Sequence, residues 1–190
     1  KDSLLESNYL RLKYIDIVIT EACSMKCIDC SNLMQYYVSP KHSDIKLLFQ
    51  SMDRLLTAID HVFEFRVLGG EPFVNKQIHK IIDKIVSYNN VDKIVIFTNA
   101  TIVPEGPNLF CLKNKKVILD ITNYGELSRN YDKLVHALDS NSIRYISKRP
   151  TWTDSGRILP FQKRTEVELK HMFSNCCMND VMTLLNGKLY

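Results

Sequence analysis

Cys23, Cys27 and Cys30 fall within Cys23-Ser24-Met25-Lys26-Cys27-Ile28-Asp29-Cys30, with three and then two residues between them. Three thiols on so short a loop are a soft donor set. They can hold three irons of a cubane cluster and leave the fourth iron open to a small molecule. The competing readings are half of a structural zinc site and a group of inert core thiols. A closed zinc site takes four ligands, and no other cysteine or histidine stands in a second paired spacing. Inert thiols explain neither the spacing nor the polar neighbours Lys26 and Asp29. The apolar run just upstream, Tyr14-Ile15-Asp16-Ile17-Val18-Ile19-Thr20, reads as a buried strand. That sets the thiols on a loop at a strand's C-terminal end, the edge where α/β folds place their chemistry.

A second stretch, Val67-Leu68-Gly69-Gly70-Glu71-Pro72, ends another apolar strand. Paired glycines let a ligand approach the backbone closely, and Pro72 stiffens the exit and removes a donor. A tight strand-to-helix turn would use the same four residues. Glu71 also suits the cap of a following helix, where a carboxylate complements the dipole.

Taken together, in this order and at this distance, the two stretches resemble the motifs of the radical S-adenosylmethionine (radical SAM) superfamily. The resemblance covers about the first 150 residues. It implies a 4Fe-4S cluster held by Cys23, Cys27 and Cys30, and S-adenosylmethionine chelated to the open iron. It further implies that Gly69, Gly70, Glu71 and Pro72 line the methionine amine. Reductive cleavage to a 5′-deoxyadenosyl radical, which takes hydrogen from a substrate carbon, is the implied activity, of oxidoreductase or transferase type. In that superfamily the residue before the last cysteine is commonly aromatic and lies near the adenine; here it is Asp29. A non-catalytic zinc- or cluster-binding module is the alternative. Strand-end residues Thr98, Asn99, Thr122 and Asn123 are candidates for the cofactor's carboxylate and ribose hydroxyls, and turn and capping chemistry suits them equally. Arg144 and Arg149 are candidates to pair with a carboxylate, and Cys111 reads as a core thiol. The implied partners are a small-molecule, sugar or peptide substrate and an electron donor such as flavodoxin or ferredoxin.

The elements that must position these residues follow from periodicity. Strands are expected at 13–20, 61–68, 93–97, 116–121 and 142–147. Helices are expected at 44–59, with Ser43 as N-cap, and at 75–88 and 127–138. A short helix at 31–37 would pack beside the cluster, with Tyr36 and Tyr37 either covering a substrate pocket or, as such pairs more often do, forming a half-buried wall. Strands alternating with helices predict a parallel sheet with right-handed crossovers. The fold class is therefore α/β, a partial (β/α) barrel of five or six parallel strands; the chain is too short for eight units.

Residues 151–190 read differently from the core at 1–150. A long loop carries Trp152-Thr153-Asp154-Ser155-Gly156, a helix is expected at 165–173, and Cys176 and Cys177 follow. Asn186-Gly187 is the favoured turn of a β-hairpin, but only Lys188, Leu189 and Tyr190 remain after it, too few to pair the first strand. The segment resembles the start of the SPASM or twitch-like cysteine-bearing extension of one radical SAM branch, which holds an auxiliary Fe-S cluster. The expectation is a natural chain longer than 190 residues, with Cys176 or Cys177 joining a second centre; two packed thiols are the equal alternative.

The composition sets bounds. Apolar residues make up 45% and charged residues 24% of 190, an ordinary globular balance with room for one sizeable core. A net charge of +4 is too small to argue for nucleic acid. No apolar run is long enough to span a bilayer. Six cysteines, three of them clustered, fit a reducing cytoplasm better than a disulfide framework.

Overall fold

The structure, a computed structural model, describes residues 9–151, 163–176, 179 and 181–190. The loop containing Trp152 to Gly156, and Cys177, lie outside the described residues.

The backbone alternates strand and helix as the periodicity predicts. β1 (Arg11–Val18), β2 (His61–Leu68), β3 (Val91–Thr98), β4 (Val117–Thr122) and β5 (Tyr145–Lys148) lie side by side and all parallel. Their crossovers carry α1 (Ile45–Ala58), α2 (Ile78–Val86), the short α3 (Pro107–Phe110) and α4 (Tyr131–Ser140). α1 buries Leu48, Met52 and Leu56, and α2 buries Ile78, Ile81, Ile82 and Ile85, each on one stripe. These stripes pack with Ile15, Ile17, Phe65, Val67, Ile94, Ile96, Leu119 and Ile121 in a single core. The alternate strand residues, among them Asp16, Arg66 and Phe97, point to the opposite face, where they line a cleft. One face of the sheet thus holds the fold together and the other is left for chemistry.

Three local expectations change. Asp44, not Ser43, caps α1, accepting from the N–H groups of Lys46 and Leu47 at 2.9 Å each. Ser43 instead donates to the carbonyl of Val18 at 2.8 Å, tying the helix approach to β1. The segment after the cysteine loop is a single 3-10 turn, Met34–Tyr36, whose buried residue is Met34. Tyr36 and Tyr37 do not line the cleft.

The C-terminal hairpin is present as expected, and the larger correction is that its short second strand does pair. β6 (Met182–Leu185) and β7 (Lys188–Leu189) pair antiparallel through Leu184↔Leu189 and Leu185↔Lys188. Tyr190 and Thr183 exchange two backbone hydrogen bonds of 2.9 Å. Asn186 (φ 50°) and Gly187 (φ 79°) supply the left-handed pair that closes such a two-residue turn. The few residues after the turn therefore suffice to pair. β6 then lies parallel to β1, with Asp16 opposite Thr183, so the sheet runs β5-β4-β3-β2-β1-β6-β7. The expected helix at 165–173 is α5 (Glu166–Ser174), held at its start by a capping box of Thr165 and Glu168.

Candidate functional site

The cleft lies across the C-terminal ends of β1 to β4 and has a volume of about 300 Å³. Cys23, Cys27 and Cys30 all line it, each half-buried. So do Gly69 and Gly70 beyond β2, Thr98 and Asn99 at the end of β3, and Thr122 at the end of β4. Residues as far apart in the chain as Cys23 and Thr122 thus line one cleft.

The two sequence motifs are physically one unit. The ladder between β1 and β2 runs on past both strands. Ile19 donates its N–H to Leu68 at 2.9 Å, Gly70 to Thr20 at 3.0 Å, and Glu71 to Ala22 at 2.9 Å. This explains the glycines differently from the expectation that a ligand needs the room. A Cβ on Gly69 would sit 2.4 Å from the carbonyl oxygen of Thr20. A Cβ on Gly70 would sit 2.2 Å from that of Ala22 and 2.6 Å from the Cβ of Cys23. The space is filled by the cysteine loop itself, so the glycines set where Cys23 stands.

Glu71 and Pro72 do not line the cleft. Glu71 is fully buried and both its oxygens are taken. Oε1 accepts from the N–H of Phe73 at 3.2 Å and the hydroxyl of Thr98 at 2.9 Å, and Oε2 accepts from the N–H of Asn99 at 2.8 Å. The capping role is thus observed, at the 3-10 turn Pro72–Val74, and the same carboxylate also braces β3. Burial pushes the carboxyl up to about 7 despite the bonds from Asn99, Phe73 and Thr98.

Asn99 reaches back to the cysteine loop. Its amide nitrogen lies 3.8 Å from Cys23 Sγ and 3.2 Å from Ser24 Oγ, while its oxygen accepts from the N–H of Thr101 at 3.0 Å. Met25 donates its N–H to the same sulfur at 3.5 Å. Asn123 is turned away. Its Oδ1 accepts from the N–H of Gly125 at 2.8 Å, the turn chemistry that was its other reading, and it does not line the cleft. Arg144 spends its guanidinium on the backbone carbonyls of Lys115 and Val117 rather than on a carboxylate. Cys111 packs at the core edge and donates to the carbonyl of Asn108, and burial pushes its thiol up to about 12.

The three thiols suit a cubane, which binds each thiolate at a separate iron, so they need only share the cleft. Burial raises the thiols of Cys23 and Cys27 above the usual range. Their deprotonation is therefore coupled to metal binding. Val18, Met34 and Leu68 form a small apolar cluster against Cys23 and Cys30, which keeps water off one side of the loop.

Sequence reasoning passed over several residues of the cleft, among them Asp16, Arg66 and Tyr124. Asp16 is buried, and Nε of Arg66 lies 3.3 Å from its Oδ1. The signal was present, since each of the two interrupts an apolar strand at the alternate position (Ile15-Asp16-Ile17, Phe65-Arg66-Val67).

Comparison with known proteins follows this geometry. A family model described as a 4Fe-4S single cluster domain matches residues 14–143. A GTP 3′,8-cyclase of Desulforamulus reducens is 27% identical over 165 residues, 85% of this chain and 46% of its own length. That of Clostridium acetobutylicum is 26% identical over 152 residues, 73% of this chain and 47% of its own. The chain spans about half the length of the curated relatives it matches. Among solved structures, BtrN in complex with AdoMet and 2-DOIA superposes with a TM-score of 0.59 at 17% identity, over 92% of this chain and 70% of that one. Streptococcus suis SuiB bound to precursor peptide SuiA gives 0.57 at 14% identity, over 90% and 38%. The anSMEcpe structure with bound AdoMet and Cp18Cys peptide gives 0.56 at 17% identity, over 72% and 42%.

Proposed function

The chain belongs to the 4Fe-4S single cluster domain family of the radical SAM superfamily, and from that premise we propose that its cleft is the cofactor site of a radical SAM enzyme. The family's cofactors are a 4Fe-4S cluster and S-adenosylmethionine. When bound, they supply reductive carbon–sulfur cleavage and with it a carbon radical able to remove hydrogen from an unactivated carbon.

The residues of this chain divide the work. Cys23, Cys27 and Cys30 hold the cluster. Gly69 and Gly70 fix the height of the cysteine loop and present the backbone wall on which the cofactor's methionine end rests. Glu71 orients that wall and β3 without touching the ligand. Thr98, Asn99 and Thr122, at adjacent strand ends, offer hydroxyl and amide groups to its polar atoms. Residues 1–150 form the core that does this, and 151–190 the extension that widens the sheet.

The observation that carries the reading is the convergence of the three thiols, the glycine pair and the β3 and β4 strand ends on one cleft. The substrate lies within the classes that relatives bind or act on: a nucleotide in the cyclases, peptides in anSMEcpe and SuiB, 2-DOIA in BtrN. Anaerobically reconstituted, reduced protein incubated with S-adenosylmethionine is expected to release 5′-deoxyadenosine slowly without added substrate. Cluster and cofactor both bound with no 5′-deoxyadenosine formed would mark a binding module instead of an enzyme.

A further inference from the structure

Asp16 sits on β1 one turn of the pleat from the core, with 1% of its surface exposed, yet it lines the cleft. Its Oδ1 and the Nε of Arg66 lie 3.3 Å apart, but they are not aligned for a hydrogen bond, and neither atom has a hydrogen-bond partner among the described residues. Arg66 cannot easily swing to improve the match. Its guanidinium lies over the rings of Phe97 at 5.0 Å and Tyr14 at 5.2 Å, and Glu64 Oε1 stands 3.7 Å from the same Nε. A buried carboxylate with an unmet acceptor is costly unless something else satisfies it.

Charge points the same way. Of the charged side chains that line the cleft among the described residues, two are acids, Asp16 and Asp29, and one is a base, Arg66. Further along the inner face Lys148 is already paired with Asp120 at 2.8 Å, and Lys93 with Glu64 at 2.6 Å. A polyphosphate entering this cleft would meet a net acidic lining, and Arg66 is already compensated.

We propose that Asp16 is a substrate-recognising acceptor, that it takes an ammonium or hydroxyl donor of the substrate, and that it makes this cleft selective for neutral or cationic polar molecules over polyphosphates. The inference rests on the proposed function, and it narrows the substrate to the amine- and hydroxyl-bearing class. Asp16 acts here through charge and an open lone pair, and its own shift toward about 6 leaves it mostly ionised at neutral pH.

The test uses reconstituted protein with S-adenosylmethionine bound and two probes, glucosamine and inorganic tripolyphosphate, with affinities read by calorimetry or ligand-observed NMR. Wild type should prefer glucosamine. Asp16→Asn, which removes the charge and releases Arg66, should shift the ratio of the two affinities at least tenfold toward tripolyphosphate. Asp16→Thr, which introduces a β-branched residue suited to a strand, should do the same and serves if the Asn variant does not fold. An unchanged ratio, a wild type that prefers tripolyphosphate, or no binding of either probe to any of these proteins overturns the proposal. Iron content and S-adenosylmethionine binding are measured on the same samples. Their loss in wild type would count against the cofactor site itself, and their retention confines any failure to Asp16.

Discussion

The carboxylate of Glu71 accepts the backbone N–H of Asn99 at 2.8 Å, and the side chain of the same Asn99 lies 3.8 Å from the sulfur of Cys23. One buried acid thereby links the end of β2 to the end of β3 and, through it, to the cysteine loop. Glu71→Ala leaves the Thr98 hydroxyl and two N–H groups without their partner. With each buried orphan costing about 1–3 kcal/mol, the apoprotein should lose at least about 3 kcal/mol in a urea titration. Glu71→Gln keeps an acceptor and should lose less. Equal losses for the two would mean that the brace does not depend on the acceptor oxygens.

Gly70→Ala tests whether the glycine pair serves the loop. The new methyl would fall 2.2 Å from the Ala22 carbonyl oxygen and 2.6 Å from the Cβ of Cys23. Backbone must move to admit it, at a cost of about 1–3 kcal/mol or more. The expected result is reduced iron loading along with reduced stability in the absence of S-adenosylmethionine. Normal iron loading with only weaker S-adenosylmethionine binding would restore the view that the glycines make room for the ligand.

Asp16 gives a pH prediction with a definite sign. Burial pushes its carboxyl up to about 6, against the pull of Arg66, from an ordinary 3.8. The folded state therefore holds a proton that the unfolded chain releases between those two values. Its contribution to stability is full below about pH 4 and is lost as pH rises through about 6. Relative to wild type, Asp16→Asn should gain on the order of 1–3 kcal/mol between pH 4 and pH 7. Urea titrations at pH 4, 5.5 and 7 measure this; a difference independent of pH would contradict the raised value.

Much of this was legible in the sequence, for identifiable reasons. β2 is found where Val62, Phe65, Val67 and Leu68 predict it, because a parallel strand buried against helices reads as an apolar run. The cysteine loop was legible because spacing alone restricts what three thiols can bind. The brace at Glu71 was not, since its partners Thr98 and Asn99 lie 27 and 28 residues away and only register brings them near. For the glycine pair, sequence shows that a close approach is needed but not that the cysteine loop is among what approaches. The hairpin was underestimated for a similar reason. Its short second strand was judged alone, while β6 is held from its other side by β1.

The central claim is that Cys23, Cys27 and Cys30 hold a cluster with one iron open to S-adenosylmethionine. The most direct measurement is low-temperature EPR of the anaerobically reconstituted, reduced protein before and after S-adenosylmethionine is added. The account predicts about four irons per chain, the signal of a reduced 4Fe-4S cluster, and a change in its g-values on addition. It also predicts loss of the signal when any one of the three cysteines is replaced by Ala. A signal that S-adenosylmethionine leaves unchanged, or one that survives all three single substitutions, would contradict it.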